Sequence, residues 1–256
     1  MPSDDPVHQT ALQVEGVSKR FGGLVALDRV TFIIPRGEVV GLIGPNGAGK
    51  TTLFNVISGF EPPTAGRVLF QGRTVTGVPP HVIARNGLGR TFQIVRPFPG
   101  LGVLENLAVG GLSNRVFDAG RELARARERA KEVATRVGLF SWLDRQATTL
   151  PHGSLKRLEI GRAIMMRPSV LLLDEPFAGL GGHEVEEISG VIAELAASGM
   201  TLIIIEHKLR ALMRLVRRVI VLNFGRVIAE GTPREIGASP TVREAYLGEK
   251  GAARLA

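Results

Sequence analysis

The stretch EVVGLIGPNGAGKTT, residues 38–52, constrains the fold more than any other part of this 256-residue chain. It opens as a short, unbroken apolar run, the pattern of a strand buried on both faces in the middle of a sheet. It closes on Lys-Thr-Thr, after which Leu53, Val56 and Ile57 share one face of a helix expected over residues 51–58. Between strand and helix, the chain satisfies G-x-x-x-x-G-K-[ST] in full from Gly44 to Thr51. Glycines in that setting let the backbone turn so that successive N–H groups point at one anion, assisted by the positive end of the helix. The arrangement suits the phosphates of a nucleotide. On this reading Gly44, Pro45, Asn46, Gly47, Ala48 and Gly49 wrap them, Lys50 neutralises their charge, and the Thr51 hydroxyl holds Mg2+. Thr52 belongs to the same cradle.

A second buried run, VLLLDEP, delivers Asp174 and Glu175 at the end of a strand, the edge where α/β sheets place their ligands. Asp174 suits Mg2+, directly or through water, and Glu175 suits orienting and deprotonating an attacking water. His207 closes TLIIIEH and Gln93 closes GRTFQ, both at strand ends. From there His207 can sense a γ-phosphate. Gln93 can contact Mg2+ or the water and hinge the segment that follows it.

ALQVEGV and RVTFII read as strands, HEVEEISGVIAELAAS as a helix and RVIVLNFGRVIAEG as a strand pair. Strand and helix alternate at βαβ spacing, so a mainly parallel sheet flanked by helices is expected. GRELARARERAKEVATRVGLF is an amphipathic helix with Leu123, Ala126, Ala130, Val133 and Val137 on its inner face. KLRALMRLVRR puts Leu209, Leu212 and Leu215 on one face and leaves a solvated basic one.

Composition excludes several classes. The longest apolar runs are far too short to cross a bilayer, and the polar, acidic start MPSDDPVHQT has no apolar core of a signal peptide. With no cysteine there is no disulfide and no thiolate metal site. The net charge is +8, but the arginines are spread along the chain, so no nucleic-acid partner is expected.

Taken in order, KRFGGL, GPNGAGKTT, RTFQ, LPHGS, VLLLDEP and EH resemble six motifs of one family. They are the adenine platform, Walker A, Q-loop, signature, Walker B and switch histidine of the nucleotide-binding subunit of an ATP-binding cassette (ABC) transporter. The resemblance covers nearly the whole chain. It implies an α/β fold: a P-loop NTPase (RecA-like) core with an N-terminal antiparallel β-subdomain over 10–93 and 163–235, an inserted α-helical signature subdomain over 94–162, and a C-terminal tail over 236–256. It implies ATP and Mg2+ as cofactors, with Glu175, His207 and Gln93 as the catalytic set. Phe21 would stack on adenine, a core phenylalanine being the other reading. Two cassettes would face each other head to tail, copies or paralogues, each P-loop completed by the other's signature element, here Pro151, His152, Gly153 and Ser154.

GLGRTFQIVRPFPGLGVLENLAV, IIIEHKLRALMRL and SPTVREAYLGE are similar to the ATPases of branched-chain or hydrophobic amino-acid importers, whose close relatives include urea importers and lipopolysaccharide exporters. That narrower resemblance implies two membrane permease subunits, an extracytoplasmic solute-binding protein, and a peripheral place on the cytoplasmic face of the inner membrane. A soluble cassette acting on ribosomes or nucleic acid is the alternative. Such proteins usually carry two cassettes or long coiled-coil insertions, and neither occurs in this chain.

Two departures stand out. The family signature reads Leu-Ser-Gly-Gly-Gln where this chain reads Leu-Pro-His-Gly-Ser from Leu150. Loss of the serine hydroxyl weakens a contact to a charged group by roughly 1.5–3 kcal/mol unless His152 compensates. Ser154 is expected to cap the helix that follows, with Leu155, Leu158 and Ile164 as its packed face. Gly181 stands where many relatives have Asp or Asn that communicates across the dimer, which puts coupling between sites in question. A slowed site and a non-hydrolysing one both fit these changes; retention of Glu175 and His207 favours the first.

Overall fold

The computed structural model describes residues 9–112 and 119–247, arranged as two sheets with helices between and around them. Strands β1 (Thr10–Phe21), β2 (Leu24–Pro35), β4 (Ala65–Phe70) and β5 (Arg73–Thr74) form an antiparallel sheet in the order β2-β1-β4-β5. The second sheet runs β10-β9-β3-β8-β7-β6 and contains β3 (Val39–Ile43), β6 (Leu88–Arg90), β7 (Val170–Asp174), β8 (Thr201–Ile205), β9 (Arg218–Asn223) and β10 (Arg226–Gly231). All its pairings are parallel except β9 with β10.

Every residue of β3, β7 and β8 is buried, which is why these strands read as continuous apolar runs rather than alternating ones. Successive side chains point to opposite faces. Val40, Leu42, Leu172, Ile203, Ile205, Ile220 and Leu222 enter one core with the antiparallel sheet and α1 (Lys50–Ile57). Ile43, Leu171, Leu173, Leu202, Ile204, Val219 and Val221 enter the other. That second core also takes in α3 (Val103–Gly110), α4 (Ala119–Arg136), α5 (His152–Met165), α6 (Gly182–Ala197), α7 (Leu209–Leu215), α8 (Pro233–Ala238) and α9 (Pro240–Leu247). The short α2 (Pro80–Arg85) precedes β6.

Helices α3, α4 and α5 pack as a group in which Ala126, Ala130 and Val133 of α4 are buried. Leu123, expected on the same face, is exposed. A helical stripe is covered only as far as a neighbouring element extends beside it, and here the cover begins one turn later. The segment boundary expected at 162/163 falls inside α5, and that at 235/236 inside α8. Both helices run through without a break. Residues 1–8 and 248–256, including the polar start and the end of SPTVREAYLGE, lie outside the described residues. Among the described residues no helix is long and apolar enough to cross a membrane.

Candidate nucleotide site

The loop from Gly44 to Gly49 sits at the C-terminal edge of β3 and opens α1. Its shape requires glycine at both ends. Gly49, the N-cap of α1, has φ 102°, and a Cβ there would lie 2.5 Å from the Ala26 carbonyl oxygen. A Cβ on Gly44 would lie 2.1 Å from the Leu222 carbonyl oxygen. Lys50 is only 7% exposed, and its Nζ donates to the carbonyl oxygens of Gly44 at 2.7 Å and Pro45 at 2.9 Å. Burial pushes its pKa down, while the nearby charges of Glu175 and Asp174 pull it up. The cation is thus held inside the loop, facing two acids. Asn46, Gly47 and Thr51 are exposed at the mouth.

Asp174 ends β7 and is 4% exposed. Burial pushes its carboxyl pKa up, and Arg90 at the end of β6 pulls it back down. Arg90 Nη2 donates to Asp174 Oδ2 at 3.1 Å. Its Nη1 donates to Asn55 Oδ1 at 2.8 Å and Ser58 Oγ at 2.9 Å, and its guanidinium lies over the rings of Phe54, Phe60 and Phe92. The next residue, Glu175, adopts a left-handed backbone with φ 51°. Its Oε2 accepts from Gln93 Nε2 at 2.9 Å, and its Oε1 lies 3.0 Å from His207 Nε2. Three residues from three separate motifs therefore meet at one carboxylate.

Behind them lies Glu206, whose buried carboxylate accepts backbone N–H groups of Phe177 (2.6 Å), His207 (2.8 Å) and Lys208 (2.9 Å). It pins the loops after β7 and β8 to each other. Neither Arg90 nor Glu206 was legible beforehand; a buried glutamate directly preceding a strand-end histidine is the only signal either offers. Tyr246 of α9 is a third such residue. Burial pushes its phenol up to about 12, opposed by a hydrogen bond from the Gly44 backbone, so the C-terminal segment touches the first residue of the phosphate loop.

Thr51, Gln93 and Asp174 line one cleft of about 640 Å3, together with Asn55, Arg90 and Phe92. A hydroxyl, an amide oxygen and a single carboxylate are hard donors of the kind Mg2+ takes. Among the described residues no group of three or more His, Cys, Asp or Glu could hold a metal ion. Mg2+ would therefore draw its other ligands from phosphate and water, so the donor set fits.

The 150–154 element departs from expectation. Pro151 is the N-cap of α5, so Ser154 falls inside the first turn and does not cap the helix. Its buried hydroxyl accepts instead from Arg157 Nη2 at 3.0 Å. His152 Nε2 lies 3.1 Å from the Ala178 carbonyl oxygen, so that nitrogen is engaged within the chain and does not stand in for the missing hydroxyl. The Gly153 N–H donates to Glu184 Oε1 at 3.2 Å, while Glu184 Oε2 accepts from Gly181 at 3.0 Å. Gly181 thus contributes a backbone donor to Glu184 and has no side chain to offer. Phe21, at the end of β1, is 46% exposed with Lys19 Nζ 4.8 Å from its ring centre, so it is not a core residue.

Comparison with known proteins places this geometry. The family described as ABC transporter matches residues 27–178, and the branched-chain amino acid ATP-binding cassette transporter family matches residues 226–252, the segment that contains Tyr246. The chain is 41% identical over 249 residues to the high-affinity branched-chain amino acid transport ATP-binding protein BraF of Pseudomonas aeruginosa, covering 93% of this chain and 98% of that one. It is 42% identical over 252 residues to the corresponding LivG protein of Escherichia coli, covering 94% and 99%. A crystal structure of a nucleotide-free ATP-binding cassette from an ABC transporter matches with TM-score 0.83 and 35% identity over 94% of this chain and 100% of that one. A dimeric ATP-binding cassette in a post-hydrolysis state, bound to ADP and Pi, matches with TM-score 0.76 and 26% identity over 86% and 98%. Since the matched family spans both the phosphate loop and the acids of β7, and the likeness extends over almost the whole length of these relatives, the chain belongs to the ABC transporter family of ATP-binding cassettes.

Proposed function

We propose that this chain is the ATP-hydrolysing subunit of an importer of branched-chain amino acids. The observation that carries the reading is the Glu175 carboxylate, held between Gln93 and His207 at the mouth of a phosphate loop whose lysine faces it. The amino-acid assignment is supported by the names of the relatives, BraF and LivG.

The triphosphate lies along residues 44–49. Lys50 exchanges its two loop carbonyls for phosphate oxygens, and the exposed face of Phe21 stacks on adenine. Thr51, Asp174 and Gln93 hold Mg2+, which supplies charge neutralisation on the phosphates. Glu175 orients the attacking water and accepts its proton, and His207 fixes the carboxylate's direction and reads the γ-phosphate. Two cassettes pair head to tail so that the signature element of one covers the nucleotide of the other; the dimeric relative supports this. Residues 94–162 act as a helical unit on the RecA-like core. Phe92, Ile94, Phe98 and Val109, exposed along the cleft between them, receive a cytoplasmic loop of one of the two permease subunits, with a solute-binding protein on the far side of the membrane.

The test is uptake of labelled leucine, isoleucine and valine by cells lacking the gene. Uptake should fall, return with the wild-type gene and stay low with Glu175→Gln. Undiminished uptake of all three in the deletion strain refutes the substrate assignment.

A further inference from the structure

Lys156 is 1% exposed, more deeply buried than the phosphate-loop lysine. It lies on α5, one turn beyond Gly153. Taking an ammonium out of water costs several kcal/mol, and an apolar side chain of equal length would fill the same space without that cost. What the ammonium adds is hydrogen-bond donors. Its Nζ donates to the Gln93 carbonyl oxygen at 2.8 Å and reaches the Glu175 carbonyl oxygen at 3.5 Å. These are the backbones of the two residues whose side chains meet in the site.

Glu175 needs such support. Its φ of 51° is uncommon for a residue with a Cβ and is strained. Its N–H is held by the Ile205 carbonyl oxygen at 3.0 Å. Its carbonyl, on the other side of the turn, accepts the Ala178 N–H at 3.1 Å and is also approached by Lys156. The strained peptide is thus tied to the sheet through its N–H and, through its carbonyl, to its own turn and to α5.

We propose that Lys156 is a positioning residue for hydrolysis, holding the Glu175 and Gln93 turns in register and making that register depend on the signature helix. The proposal rests on the head-to-tail reading given above: the first turn of α5 clasps the opposite nucleotide, while the second turn aims the carboxylate of its own chain. Movement of α5 at one site then reaches the water-activating group of the other through a single buried ammonium. Gly181 has no side chain with which to carry that message, so this route serves in its place.

The experiment compares full-length wild type, Lys156→Met and Lys156→Arg for kcat, KM for MgATP, binding of a fluorescent ATP analogue and thermal melting. Lys156→Met should lower kcat roughly ten- to a hundred-fold, as expected when a catalytic group is displaced by about 1 Å. It should leave KM and analogue affinity within a few-fold, since the Lys50 loop is untouched, and it should flatten any cooperativity in ATP. Lys156→Arg, which keeps donors at that place, should recover a substantial part of kcat. If the Met variant does not fold, Lys156→Leu, which also lacks a donor, carries the same comparison. A Met variant that keeps wild-type kcat, a parallel loss of kcat and nucleotide affinity, or an Arg variant no better than Met would overturn the proposal. Wild-type protein without turnover sensitive to Glu175→Gln would instead sink the functional reading beneath it.

Discussion

Arg90 and Asp174 show how much of the site depends on a pair that only the fold assembles. Both side chains are buried, so removing the cation leaves an uncompensated carboxylate. Arg90→Met should destabilise the chain by about 3–5 kcal/mol at pH 7, measured by urea unfolding. The penalty should shrink at pH 5, because the Asp174 carboxyl already titrates above its ordinary 3.8 and without Arg90 takes up a proton more readily. An equal penalty at both pH values contradicts this. Glu159, on α5 and lining the cleft, is pushed above its ordinary 4.5, first by burial. A raised carboxyl favours the folded state in its protonated form, so its contribution is present at low pH and is lost as pH climbs through the raised value. Glu159→Gln should therefore lower the melting temperature at pH 5 relative to that at pH 7, compared with wild type. Its amide oxygen still accepts the Phe92 N–H, and a shift in the opposite direction rules the account out. At this scale Lys50, Asp174, Glu175, Gln93 and His207 were legible, because each sits at the end of a motif or strand. Arg90 and Lys156 were not, since their partners lie far away in the chain, and Glu206 was not, since its link to the Phe177 N–H exists only once the loops after β7 and β8 meet.

Among elements, the strands that read most plainly were those buried on both faces. β3, β7 and β8 are dominated by Val, Leu and Ile and buried throughout, so their place in the middle of a parallel sheet follows from composition. The strand expected to close at Gln93 is shorter than read: β6 is three residues of Leu-Gly-Arg, Leu88–Arg90, paired along the edge of β7, and Gln93 lies beyond its end. The phosphate loop was legible as a string, but its rigidity comes from neighbours. Gly49→Ala must place a Cβ against the Ala26 carbonyl at φ 102°, and should cost on the order of 2 kcal/mol or more and abolish nucleotide binding. Normal binding by a folded Gly49→Ala protein would show that the loop is softer than its contacts imply. The α9 contact is subtler. Tyr246→Phe removes the phenol oxygen beside the Gly44 backbone and should raise KM for ATP several-fold. Unchanged KM would mean that the C-terminal segment is only a neighbour of the loop.

For the molecule as a whole, one mixed sheet with a different core on each face places the phosphate loop, the acids and the histidine along a single edge. The α5 N-terminus is built into the chain through His152 and Glu184. The signature's altered residues were visible in the sequence, but their consequence was not: Ser154 turns inward rather than capping, and Gly181 works through its backbone. What remains is a site expected to be complete only when two cassettes close on ATP. Sedimentation of Glu175→Gln protein with MgATP and without nucleotide tests this most directly. The account predicts a dimer with MgATP, formed with its own copy or with the paralogous cassette supplied in equal amount, and monomers without nucleotide. Monomers under all these conditions, with ATP shown to be bound, would contradict it.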